Sequence, residues 1–109
     1  MGYYSDVAIG MSKEDGVRFL AEQTKGMRDE PWLIEAMKTY NYEDCFVAAW
    51  FSVKWYDNSP AVQWVNQFLQ DLEDEEKPVA YVRVGEALDD NEEWFSYDDE
   101  HIQIGRAHV

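Results

Sequence analysis

The chain has 109 residues, a formal net charge of −14, 46% apolar and 16% aromatic residues, and a single cysteine. That length makes one domain with its own core, the aromatic content excludes a disordered chain, and lone Cys45 excludes an intramolecular disulfide framework. Twenty-three acids against nine lysines and arginines argue against a surface for nucleic acid or anionic membrane. With no run of transmembrane length and no signal-peptide pattern at the N-terminus, a cytoplasmic domain is expected.

The first element expected is a strand from residue 3 to residue 11, with Tyr3, Val7, Ile9 and Met11 on one face, interrupted by Ser5. Ser12 then caps a helix, with Glu14 and Asp15 in its first turn, where negative charge suits the helix dipole. Val17, Leu20, Ala21 and Thr24 form its apolar stripe, Phe19 points elsewhere, and Gly26 ends it. Pro31 opens a short second helix carrying Trp32, Leu33, Ala36 and Met37, and residues 39–44 are a loop or an edge strand.

Residues 45–56 read as the main strand, placed centrally in the sheet. One face carries Cys45, Val47, Ala49, Phe51, Val53 and Trp55, and the other Phe46, Ala48 and Trp50 before turning polar at Ser52 and Lys54. Cys45 is then a buried small hydrophobe, not a nucleophile. Ser59 and Pro60 have the chemistry of an N-cap and first helical residue. Ala61, Trp64, Val65, Phe68, Leu69 and Leu72 follow at core-facing helical spacing. Pro78 stops that helix. Residues 78–85 form a strand with Ala80, Val82 and Val84 inward and Tyr81 and Arg83 outward, residues 86–93 an acidic turn, and residues 93–97 and 101–109 possible further strands, Ile102 and Ile104 facing inward in the last. The expected fold is α+β: a mainly antiparallel sheet of four to five strands with two main helices on one face, ferredoxin-like in arrangement.

The acids are unevenly placed. Residues 71–100 hold 13 Asp and Glu against Lys77 and Arg83, a local charge of −11, and the remainder carries −3. The run Asp71, Glu73, Asp74, Glu75 and Glu76 closes a helix, where negative charge costs about 0.3–1 kcal/mol per group at low salt. Stability alone does not select that arrangement, although a charge run taken by itself is more often a solvated face than a site. Asp89, Asp90, Glu92, Glu93, Asp98, Asp99 and Glu100 are hard oxygen ligands but lack EF-hand spacing. His101 and His108 have no cysteine pair beside them, so no metal or other cofactor is expected. No nucleophile elbow, P-loop or dinucleotide fingerprint occurs, so the protein is not expected to be an enzyme. Trp50, Trp55, Tyr56 and Trp64 read as core. Tyr40, Tyr42, Trp94 and Tyr97 lie among polar residues and acids, the setting of interface anchors.

The opening Met1-Gly2-Tyr3-Tyr4-Ser5-Asp6-Val7, the run Ser-Val-Lys-Trp-Tyr-Asp at 52–57, and Tyr-Val-Arg-Val-Gly-Glu at 81–86 followed by Asp89-Asp90 resemble a group of small acidic proteins of tailed bacteriophages and prophages. The resemblance covers most of the chain through short motifs, although Glu-Ala-Leu-Asp-Asp after Gly85 is less compact than the group's pattern. It implies a viral setting and brings no catalytic residue. The function expected is binding. Asp71, Glu73, Asp74, Glu75, Glu76, Glu86, Asp89, Asp90, Glu92 and Glu93, with Trp94 and Tyr97 as anchors, would face a basic surface on a host protein that handles nucleic acid, restriction and CRISPR complexes included. The carboxylates would stand in for phosphates. A virion structural or assembly role, and a small-molecule-binding domain, are the alternatives.

Overall fold

The computed structural model describes residues 2–96. Tyr97, Asp98, Asp99, Glu100, His101, His108 and the strand expected over 101–109 lie outside the described residues. The elements run β1 (Ser5–Met11), α1 (Lys13–Gly26), α2 (Pro31–Ala36), β2 (Lys38–Asn41), β3 (Phe46–Val53), α3 (Pro60–Asp74), β4 (Val79–Gly85) and β5 (Asn91–Ser96). The strands form one sheet in the order β2-β3-β1-β4-β5 with every pairing antiparallel. Leaving out α2 and β5, this is the split β-α-β arrangement of the ferredoxin-like fold, as expected. The middle strand is β1, however, and β3 lies one place toward the β2 edge.

Helices α1, α2 and α3 all cover one face. Val7, Ile9 and Met11 of β1, Phe46, Ala48 and Trp50 of β3, and Val79 and Tyr81 of β4 pack there against Phe19 of α1, Leu33 of α2, and Ala61, Val62, Val65, Phe68, Leu69 and Leu72 of α3. Trp50 is buried with its indole N–H donated to the Leu33 carbonyl at 2.8 Å, so the aromatic adds its area without orphaning a donor. Cys45, Val47 and Ala80 form a second small cluster on the other face, with Phe95 against it. Burial pushes the Cys45 thiol pKa up, which suits a packing role.

The stripe expected on α3 stands, with Val62 added and Trp64 only half-buried. Ser59 caps it by accepting from the Val62 N–H at 3.3 Å, and Ser12 caps α1 by accepting from the Asp15 N–H at 3.2 Å. The stripe expected on α1 is wrong. Val17 is 69% exposed and Leu20 and Ala21 also face solvent, whereas Phe19 is buried with Gly16 and Asp15. A Cβ built on Gly16 would stand 2.5 Å from Phe46 Cγ, so α1 reaches the sheet through a bare backbone position. Periodicity counts apolar side chains and misses a face made by a glycine.

Two face assignments are also corrected. Ser5 pairs with Val53 but Val7 with Trp50, so Phe51 and Ser52 together oppose Asp6 in a β-bulge. Ser52 takes φ +54°, and Asp6 Oδ1 accepts its N–H at 2.8 Å. The extra residue reverses the alternation. Phe46, Ala48 and Trp50 face the helices before it and Val53 and Trp55 after it, while Phe51 is exposed. In β4 it is Val79 and Tyr81 that face the helices, with Ala80 on the other side.

Candidate interaction surface

The three sequence motifs meet at one end of the sheet. Tyr3 donates its N–H to the Tyr56 hydroxyl at 2.8 Å and its own hydroxyl to Asp90 Oδ2 at 2.5 Å, while the Ala87 N–H donates to the Tyr3 oxygen at 2.9 Å. The Tyr4 N–H donates to Glu86 Oε2 at 2.6 Å. Arg83 binds Ser5 Oγ through Nη1 at 3.1 Å, Asp90 Oδ1 through Nη2 at 2.7 Å and Glu92 Oε1 through Nε at 3.1 Å. The guanidinium, then the Tyr3 hydroxyl, hold the Asp90 carboxyl below its usual range. Burial, then the charge of Glu92, push Tyr81 up to about 12. The network ties the β4–β5 hairpin to the N-terminal segment and fixes the hairpin's shape.

Outside this network, the hairpin end presents apolar groups to solvent. Tyr4, Phe51 and Val84 are 42%, 55% and 45% exposed, and Leu88 at the hairpin tip is 98% exposed. Asp6 sits between the bulge and Val84 in the ladder. An open cleft of about 380 Å³ lies here, lined by Tyr4, Ser5, Asp6, Ser52, Val84, Gly85 and Glu86. Lys54 Nζ stands 6.0 Å above the Tyr4 ring.

The acids named from sequence do not converge on one patch. Strand β4 separates the run at residues 71–76 from the hairpin, and six residue steps along it span about 20 Å. At the first end Asp71 and Asp74 are exposed in the last turn of α3, accepting from Gln67 and Gln70, with Glu73 half-buried. Glu75 pairs with Arg18 and Lys77 at 3.5 Å each. Glu76 takes φ +63° in a Schellman motif, with Lys77 N–H to Leu72 O and Glu76 N–H to Glu73 O both at 2.9 Å. Glycine is the residue that conformation favours, so Glu76 is disfavoured both by its backbone and by its charge at a helix C-terminus.

At the other end Glu86, Asp90 and Glu92 are engaged internally, and the carboxylates of Asp89 and Glu93 stay exposed. Trp94 is half-buried against the helix-side core. Tyr40 and Tyr42 are exposed, as expected. No group of three or more metal-ligating side chains gathers among the described residues, and no helix there is long and apolar enough to cross a membrane.

Tyr4, Asp6, Phe51, Val84 and Leu88 are candidate contact residues that the acidic pattern of the sequence does not single out. Leu88 carried a signal, a lone large apolar residue in an acidic turn. Phe51 carried none, because the sequence does not say which face of β3 the helices cover. No protein-family model, curated protein or solved structure matches the chain.

Proposed function

We propose that the protein acts by binding a basic protein surface, and that the contact centres on the hairpin end of the sheet. The observation that carries this reading is the exposed apolar set Tyr4, Phe51, Val84 and Leu88 beside the carboxylates of Asp6, Glu86 and Asp89. Apolar anchors within a charged rim are the usual composition of a specific protein contact. The net charge of −14 attracts a cationic partner from a distance and speeds encounter. Asp71, Asp74 and Glu76 extend the negative field at the far end of β4, where stability disfavours them.

With the resemblance to phage proteins, the partner class this reading favours is a host nucleic-acid-handling protein in the host cytoplasm. Restriction and CRISPR complexes belong to that class. The carboxylates would occupy a surface made for phosphate. The test is capture from bacterial lysate with tagged wild type and with a Phe51→Ser, Val84→Ser double variant, each at low and high salt. The reading expects a partner that the wild type loses at high salt and that the variant fails to hold. A partner held equally by both proteins, or one indifferent to salt, overturns it.

A further inference from the structure

Resting on that reading, we propose that the cleft between Tyr4, Asp6, Val84 and Glu86 takes the guanidinium of an arginine side chain presented by the partner. The cleft is open and holds about 380 Å³. Its walls supply two kinds of chemistry. The Tyr4 ring and the Val84 side chain offer apolar surface to an alkyl stem, and Asp6 and Glu86 bring two carboxylates. Each carboxylate is fixed through one oxygen: Asp6 Oδ1 accepts the Ser52 N–H at 2.8 Å, and Glu86 Oε2 accepts the Tyr4 N–H at 2.6 Å. Among the described residues Asp6 Oδ2 and Glu86 Oε1 make no hydrogen bond or ion pair, so each offers an oxygen to a ligand on a side chain already held at one point.

The Tyr4 ring already holds a cation of this chain, Lys54, whose Nζ stands 6.0 Å from its centroid, so a ligand guanidinium takes the ring's open face or displaces that ammonium. Arginine fits better than lysine because its planar fork can address two carboxylates while its face lies on an aromatic ring.

The test is a proton–nitrogen NMR titration with three acetylated, amidated pentapeptides, Gly-Ala-Xaa-Ala-Gly, in which Xaa is Arg, Lys or Gln. The arginine peptide should shift the amides of the cleft residues and leave those of residues 71–76 unmoved. The lysine peptide should bind several-fold more weakly and the glutamine peptide not at all. Asp6→Asn and Glu86→Gln each keep a carbonyl acceptor for the N–H they hold, so the local fold stands, and each should weaken arginine binding at least about fivefold. Shifts spread equally over residues 71–76, equal binding of the arginine and lysine peptides, no shifts at millimolar arginine peptide, or unaffected variants each overturn the proposal. If any of these occurs while salt-sensitive capture still depends on Phe51 and Val84, the cleft assignment alone falls. Loss of that capture removes the binding reading itself.

Discussion

Gly16→Ala sets two known effects against each other, and the structure says which wins. Alanine in place of glycine inside a helix is favourable by about 0.8–1 kcal/mol. Here the new methyl would meet three atoms of Phe46 at once: Cγ at 2.5 Å, Cβ at 2.6 Å and Cδ2 at 2.8 Å. Phe46 is buried in β3, and its Cβ is attached directly to the strand backbone, so a rotamer change cannot clear the contact. The helix itself has to move off the sheet. Overpacking of that kind costs typically 1–3 kcal/mol, and three simultaneous contacts place it near the upper figure. The net expectation is a loss of about 2 kcal/mol, which for a domain of this size lowers Tm by about 8–16 °C. Urea unfolding followed by tryptophan fluorescence, with a parallel thermal melt, reads both quantities. In a Phe46→Ala background the added cost should shrink without vanishing, because Cγ and Cδ2 are gone and only Cβ still meets the methyl. A Gly16→Ala protein as stable as the wild type would show that α1 does not sit on Phe46 and would refute the packing described for that helix.

Glu76→Gly should stabilise the protein by about 1 kcal/mol, since it relieves both a left-handed backbone and a charge at a helix C-terminus; Glu76→Gln separates the two, and chemical denaturation measures each. If glycine gives no gain, the αL conformation at residue 76 is not a cost and the case against a purely stabilising role for that acid weakens. The Asp90 carboxyl, held below its ordinary value by Arg83 and Tyr3, contributes stability above the unfolded pKa near 4 that is lost as pH falls through the lower folded value. Arg83→Gln should raise the Asp90 pKa toward the ordinary range, read from its carboxyl carbon shift, and should speed amide exchange at Gly85 and Asp90, whose N–H groups close the hairpin. An Asp90 titration indifferent to that substitution would separate the two residues.

Much of the fold was legible because it is written in local rules. Ser12 and Ser59 announce two helix starts by their side-chain oxygens, Pro60 fits the first helical position, and the stripe from Ala61 to Leu72 repeats at helical spacing. Strand β1 alternates apolar and polar residues, and helices interleaved with strands already imply an α+β layer. The errors cluster where a local rule was overridden. On α1 the buried face runs through Gly16, which carries no side chain for a pattern to register, and the visible apolar stripe Val17-Leu20 faces solvent. In β3 the sequence alternates without a break from Cys45 to Trp55, and one extra residue at Phe51–Ser52 inverts the second half of that alternation.

The candidate site shows the same division. Its acidic character followed from residue counts alone, because charge is additive along a chain whatever its shape. Which acids act together did not follow. Arg83 draws Asp90 and Glu92 into the hairpin's own support, Tyr4 engages Glu86, and β4 holds residues 71–76 some 20 Å from the hairpin. The sequence by itself determined the layer architecture, the helix caps and the negative surface, all properties of near neighbours or of sums. Only the tertiary structure decided that Tyr3, Ser52, Tyr56, Arg83 and Asp90 share one end of the sheet and that Phe51 and Val84 stand exposed there. Those outcomes depend on strand register and on a bulge, which pairing between distant segments fixes and no local pattern records.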